Sequence, residues 1–160
     1  IKESKSGGFT FTGGNTNEYL SLDADAVNGL SDYTISLWVK NPTSNEYFLS
    51  LANSNTANEM IFGSNLDATG WKHCVVTREN GTGNAYVNAS SNNSFLYSNR
   101  YGSDPLDVDQ DGFIIGQEQD SVGGSFDPNQ AHEGNIDDIR IYNRALTQSE
   151  ISAIYNNTKP

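Results

Sequence analysis

Apolar and polar residues alternate along Tyr33-Thr34-Ile35-Ser36-Leu37-Trp38-Val39, which puts Tyr33, Ile35, Leu37 and Val39 on one side of the segment. A period of two marks a strand with one face in a core. Further segments of this kind recur along the whole chain: Phe9 to Phe11, Glu18 to Leu22, Tyr47 to Leu51, Glu59 to Phe62, Trp71 to Arg78, Ala85 to Asn88, Phe113 to Gly116 and Gly134 to Tyr142. Between them lie turn-forming Gly, Asn, Asp and Ser, as in an all-β antiparallel sandwich. Glu79-Asn80-Gly81-Thr82-Gly83 reads as a hairpin turn, because Asn-Gly tolerates positive φ. Residues 89–94 and 99–112 read as polar loops. Inward parity changes between Ile136 and the pair Ile139/Ile141, which predicts a bulge. Trp38 has the opposite parity from Ile35 and Leu37, so it is either exposed or covered by a second layer. One helix is expected: Thr147 and Glu150 form a capping box, Leu146 and Ile151 a staple, and Ile151, Ile154 and Tyr155 an apolar stripe that lies against the sandwich.

At 160 residues the chain can bury a real core, and a single domain over 1–160 is the simplest organisation. Cys74 is the only cysteine, so no intrachain disulfide forms. No apolar run approaches the roughly 18 residues of a spanning helix, so no membrane insertion is expected. A start at Ile1 rather than Met suggests a module of a larger protein. The formal net charge of −11 argues against nucleic acid as a partner. Sequons at Asn80, Asn88, Asn92 and Asn156 are compatible with an extracellular or cell-surface location.

The charge is not evenly spread. Asp104, Asp107, Asp109, Asp111, Glu118, Asp120, Asp127, Glu133, Asp137 and Asp138 are ten of the twenty acids, and no Lys or Arg lies between Arg100 and Arg140. Carboxylates crowded in this way repel one another unless a hard cation lies among them. Two groupings are candidates. Asp107, Asp109, Asp111, Gly112 and Glu118 satisfy the EF-hand loop pattern. The flanking Gly, Pro and Ser forbid the helices of an EF-hand, which leaves a non-helical calcium turn or a solvated acidic turn. The second grouping runs from Glu118 to Gln130. Glu118 and Asp120 point the same way in an extended segment, and Gln119 faces away with only its carbonyl to offer. Gly123-Gly124 lets the chain turn back, bringing Asp127 and Gln130 alongside. These hard oxygen donors suit Ca²⁺ and not zinc, while the alternative is a polar loop with its charges in water.

The segment Ile114 to Ile136, IIGQEQDSVGGSFDPNQAHEGNI, resembles the calcium-binding region of pentraxins, with the same spacing through GQEQDSxGGxF. Ala57 to Phe62 is similar to the pentraxin segment that donates an Asp and an Asn to the first calcium. Asn135 to Leu146 and the Ser149-Glu150-Ile151 helix resemble the broader laminin-G/concanavalin-A-like superfamily, as do Trp71 to Thr77 and Tyr86-Val87. The resemblance implies a jelly-roll sandwich with one or two Ca²⁺ ions. One would be held by Asn58, Glu118, Asp120 and the Gln119 main-chain oxygen, the other by Glu118, Asp120, Asp127 and Gln130. It also implies departures. Ala57 replaces an Asp, Asp127 a Glu, Ser36 and Val75 the two disulfide cysteines, and Gly63 an aromatic of the choline pocket.

The expected function is therefore calcium-dependent, non-catalytic recognition of carbohydrate or of another hydroxylated, phosphate- or carboxylate-bearing ligand. The alternative is a structural or adhesive module in which calcium only stabilises a loop. Glycoside hydrolases of this superfamily carry a second Glu after E-x-D, and Val122 and Gly123 stand there instead. His73 and Cys74 face opposite sides of a strand, so they are no nucleophile pair. His132 is expected to be a loop histidine, Trp71 a core residue, and Trp38 with Trp71 a possible sugar-stacking platform.

Overall fold

A computed structural model describes residues 8–40, 45–55, 60–63, 66, 69–96 and 105–160. The elements are β1 (Phe9–Thr12), β2 (Leu20–Leu22), β3 (Tyr33–Lys40), β4 (Tyr47–Leu51), β5 (Met60–Gly63), β6 (Trp71–Glu79), β7 (Thr82–Val87), β8 (Ser90–Ser91), β9 (Phe113–Ile115), β10 (Glu133–Tyr142) and α1 (Gln148–Thr158). Strands β1-β10-β3-β6-β7-β8 form one sheet and β2-β9-β4-β5 the other. Every strand pairing within them is antiparallel. This is the all-β antiparallel sandwich that the alternation predicts, of the jelly-roll kind that the resemblance implies, with the C-terminal helix expected from the capping box.

The inward residues of both sheets meet in one core. Ile35, Leu37, Val39, Cys74 and Val76 come from the first sheet, and Leu49, Leu51, Phe62, Phe113 and Ile115 from the second. The β6–β7 turn pairs Glu79 with Thr82, and Asn80 and Gly81 take φ of 49° and 76°, both left-handed as a two-residue hairpin turn requires. The predicted bulge falls between Asp137 and Arg140, with Asp138 at φ 49°. The loop expected at 89–94 contains the short strand β8, and Phe95 beyond it is fully buried in the core.

Each sheet also carries a cover on its outer face, and the two covers differ. Over the six-stranded sheet lies α1, started by the predicted capping box of Thr147 and Glu150. Its Ile151 packs with Leu146 on Val75. Tyr155 stacks on Trp38 at 5.6 Å, and Trp38 Nε1 donates to Thr158 Oγ1 at 2.9 Å. Trp38 is thus fully buried, and the suggested Trp38–Trp71 platform is not present. Trp71 itself is half-buried at the start of β6 rather than in the core, with the Lys40 ammonium 6.0 Å from its ring. Ser36 and Val75 are register partners on this covered face.

Ser36 Oγ and His73 Nε2, 2.8 Å apart, are both sealed beneath the helix and have no route to a substrate. Burial lowers the His73 pKa from 6.5 to about 4, with Asp138 opposing the shift and Arg140 adding to it. Between these values the unfolded chain binds a proton that the folded chain refuses, so stability falls as pH drops through the window. Urea denaturation followed by tryptophan fluorescence should lose roughly 2–3 kcal/mol from this group between pH 7 and 4. His73→Gln should flatten that part of the slope, and an unchanged slope in the variant would show the assignment to be wrong.

Candidate functional site

The outer face of the four-stranded sheet is covered by the chain that links β9 to β10. Ser50 and Ile114 point outward there, opposite one another in register, yet both are fully buried. The departure from β9 is fixed by Gly116 at φ 91°, where a Cβ would collide with the Phe11 ring. Only glycine fits that turn. The Gly116 N–H donates to the Phe48 carbonyl (3.1 Å) and its carbonyl accepts from the His132 N–H (3.0 Å). The Tyr47 N–H donates to the Gln130 carbonyl (2.9 Å). Both ends of the 116–132 segment are therefore tied to the first two residues of β4.

Inside the loop, Gln119 is the pin. Its Nε2 donates to Ser50 Oγ (2.9 Å) and to the Gly112 carbonyl (2.8 Å), and its Oε1 accepts from the Gly123 N–H (2.7 Å). Gln119 is fully buried, with both the nitrogen and the oxygen of its side-chain amide engaged. Reciprocal main-chain bonds between Ser121 and Gly124, with Gly123 at φ 65°, close the reversal that follows. The Asp127 carbonyl accepts from the Gln130 N–H (2.9 Å), and Asp127 Oδ1 accepts from both the Asn129 main chain (2.9 Å) and its side chain (2.8 Å).

The acidic residues of the sequence are divided by this arrangement. Glu118 is buried at 6% exposure, Asp127 is half-buried and Asp120 is exposed. Gln130 Oε1 is buried and, among the described residues, has no hydrogen-bond donor. Among the described residues no three His, Cys, Asp or Glu side chains converge on a metal position. An ion at this loop would have to draw on amide and main-chain oxygens, which hard cations accept. Asn58, Ala57 and Asp104 lie outside the described residues.

Asp107, Asp109 and Asp111 form a turn before β9. Asp109 Oδ2 accepts from the Ser54 N–H (2.7 Å), and the Asp107 carbonyl accepts from the Asn53 side chain (2.7 Å). Asp111 takes φ 69°, with its Cβ against Gly123. Asp137 and Asp138 belong elsewhere, at the β10 bulge, where Asp138 Oδ1 accepts from Arg140 Nε at 2.8 Å. His132, expected in a loop, is buried at 1% exposure. Its Nδ1 lies 3.3 Å from Glu46 Oε2, and its ring lies between those of Phe11 and Phe48. The signal that could have placed it is its position one residue before β10, opposite the Gly116 turn.

Residues 41–152 match the family described as the concanavalin A-like lectin/glucanases superfamily. The chain belongs to that superfamily. Its relatives there are pentraxins. It is 26% identical to rat (Rattus norvegicus) C-reactive protein over a 167-residue alignment covering 92% of this chain and 72% of that protein. It is 32% identical to jeltraxin of Lepidobatrachus laevis over 101 residues, which is 61% of this chain and 43% of jeltraxin. In three dimensions it is similar to a heptameric SAP-like pentraxin of Limulus polyphemus, with a TM-score of 0.67 and 20% identity over 94% of this chain and 83% of that one. The pentraxin-like fold thus holds across the sandwich.

The pin can be tested directly. Gln119→Ala leaves the half-buried Gly123 N–H without its partner and the Gly112 carbonyl with only the Ala52 N–H, and should cost about 1–3 kcal/mol in urea denaturation. The exposed Asp120→Asn should stay within about 0.5 kcal/mol. Equal midpoints for the two variants would remove Gln119 from this role.

Proposed function

We propose that the chain is a non-catalytic recognition module that binds a hydroxylated or anionic ligand, carbohydrate foremost, through one or two Ca²⁺ ions on the 116–132 loop. The observation that carries this reading is the buried Gln130 Oε1, an acceptor with no donor among the described residues, in a loop that also holds Glu118, Asp120 and Asp127. Leaving such an oxygen unsatisfied costs about 1–3 kcal/mol. The sequence supplies no Lys or Arg between Arg100 and Arg140 to compensate the acids. A hard cation meets both needs.

In this reading Glu118, Asp120, Asp127, Gln130 and the Gln119 carbonyl hold the metal, with Asn58 contributed from the segment before β5. The bound ion supplies open coordination positions for ligand oxygens. The chain's own residues fix where that happens: Gln119 holds the strand-like run 118–120 against the sheet, and Tyr47 holds the return at Gln130. Asp107, Asp109 and Asp111 remain a second candidate turn. All 160 residues act as one module of a larger extracellular or cell-surface protein, and among the described residues no helix is long and apolar enough to cross a membrane. A purely structural role for calcium is favoured by one feature: Asp127 already serves its own turn through Asn129.

Millimolar Ca²⁺ should raise the melting temperature by roughly 5–10 °C over chelator, the effect of about 2.7 kcal/mol at a hundredfold excess over the dissociation constant. Glu118→Gln should abolish the shift, and Asp109→Asn should leave it. Identical melting curves with calcium and chelator, with no heat of binding in calorimetry, would end the metal reading. A glycan array run with and without calcium separates recognition from a structural role, which predicts no calcium-dependent hits.

A further inference from the structure

Glu46 is a buried carboxylate, 6% exposed, one residue before β4 and outside the acidic stretch. The chain enters β4 through Asn45 at φ 72°, a left-handed position that Asn tolerates. Glu46 Oε2 accepts from the Glu133 N–H at 3.1 Å and lies 3.3 Å from His132 Nδ1. The His132 ring is itself fully buried, with the rings of the core residues Phe11 and Phe48 at 5.9 and 6.2 Å. A carboxylate is costly to bury unless partners of this kind take it up. Those partners are at the root of the 116–132 loop. β4 belongs to the four-stranded sheet, and β10, which opens at Glu133, to the six-stranded one. Glu46 thus reaches from one sheet to the other where the loop re-enters the sandwich. Its neighbour Tyr47 holds the Gln130 carbonyl through its N–H at 2.9 Å and bridges to Ala131. Two consecutive residues therefore fix the return at Gln130 and again at Glu133. β10 already has ladders with β1 and β3, so what the Glu46 tie adds is the placing of this return relative to β4.

We propose that Glu46 is a positioning residue for the calcium loop: by holding the Glu133 N–H and the His132 ring it sets the place of Gln130, and with it the affinity for Ca²⁺, without touching the ion. This rests on the calcium reading and deepens it. A loop whose end wanders offers the ion its full set of oxygens only part of the time, and affinity falls by that fraction. The acids of the loop repel one another before the ion arrives, so the root has to be held by groups outside the acid set. Glu46 does this through a main-chain N–H and an imidazole, neither of them an oxygen donor. The role needs an acceptor at this place and not a negative charge. That separates Glu46 from Glu118, whose charge the ion itself would use.

Calorimetric titration of Ca²⁺ into the wild type and a set of variants tests this. Glu46→Gln keeps an acceptor for the Glu133 N–H and should bind within about threefold of the wild type, whereas Glu46→Ala should bind at least about tenfold more weakly. Glu46→Asp keeps the charge but draws the carboxylate back by a methylene. It should lose nearly as much, and it carries the test where Glu46→Ala does not fold. Ile151→Ala lowers stability beneath α1, on the other outer face, and should leave calcium affinity within about twofold. In chelator, an Asp-directed protease should cut before Asp120 or Asp127 at least about fivefold faster in Glu46→Ala than in the wild type, a difference Ile151→Ala does not share. Wild-type affinity in both Glu46→Ala and Glu46→Asp overturns the inference, and so does equal cutting of Glu46→Ala and wild type. An equal loss in Glu46→Gln overturns it by making the carboxylate a ligand of the ion. A matching loss in Ile151→Ala overturns it because general destabilisation then explains the effect. A wild type that binds no Ca²⁺ overturns it together with the reading on which it rests.

Discussion

Closure of the 116–132 loop onto the start of β4 is the constraint on which the site depends. Three main-chain hydrogen bonds gather the ends: the Phe48 carbonyl accepts from the Gly116 N–H, the Gly116 carbonyl accepts from the His132 N–H, and the Tyr47 N–H donates to the Gln130 carbonyl. Without that tie, ordering so long a segment would have to overcome its own chain entropy and the repulsion of its carboxylates. With the ends fixed, the entropy of closure is already met by β-sheet pairing, and one buried amide, Gln119, suffices to set the path between them. The acids of the loop are thereby presented by a scaffold that does not itself need them. A binding loop on a rigid sheet commonly has this division of labour.

The same logic explains why the sandwich has two unlike outer faces. β3 is buried on both sides: Ile35, Leu37 and Val39 enter the core, while Ser36 and Trp38 lie beneath α1. Covering one outer face with a helix leaves the other for the loop, so recognition and helix packing do not compete for surface. Tyr155 and Thr158 give Trp38 both an aromatic neighbour and an acceptor for its N–H, which a buried indole requires.

Much of this was legible in the sequence wherever a period carried the information. The parity of β3, the Asn80-Gly81 hairpin, the shift at Asp138 and the Thr147–Glu150 cap are local patterns, and local patterns survive folding. Residues that fill the core from irregular chain left no such trace. Phe95, Leu106 and Val108 lie in turn-rich stretches without a period, yet all three are buried. Trp38, read as exposed or covered by a second layer, and His132, read as a loop residue, show a different limit. Their parity or loop setting was read correctly in isolation, but the layer that buries each one comes from a distant part of the chain.

Proximity in sequence also overstated the acidic cluster. Asp138 is spent on Arg140 at the bulge, Asp109 caps the main chain at Ser54, and Asp127 organises its own turn through Asn129. Each of these carboxylates has a structural partner that accounts for it without a metal. The Glu118–Gln130 region adds a neutral group: the Gln130 amide oxygen, held out of water and, among the described residues, without a donor. An exposed carboxylate such as Asp120 can be satisfied by solvent, whereas a buried acceptor cannot, so the Gln130 oxygen argues for an electropositive neighbour more strongly than Asp120 does.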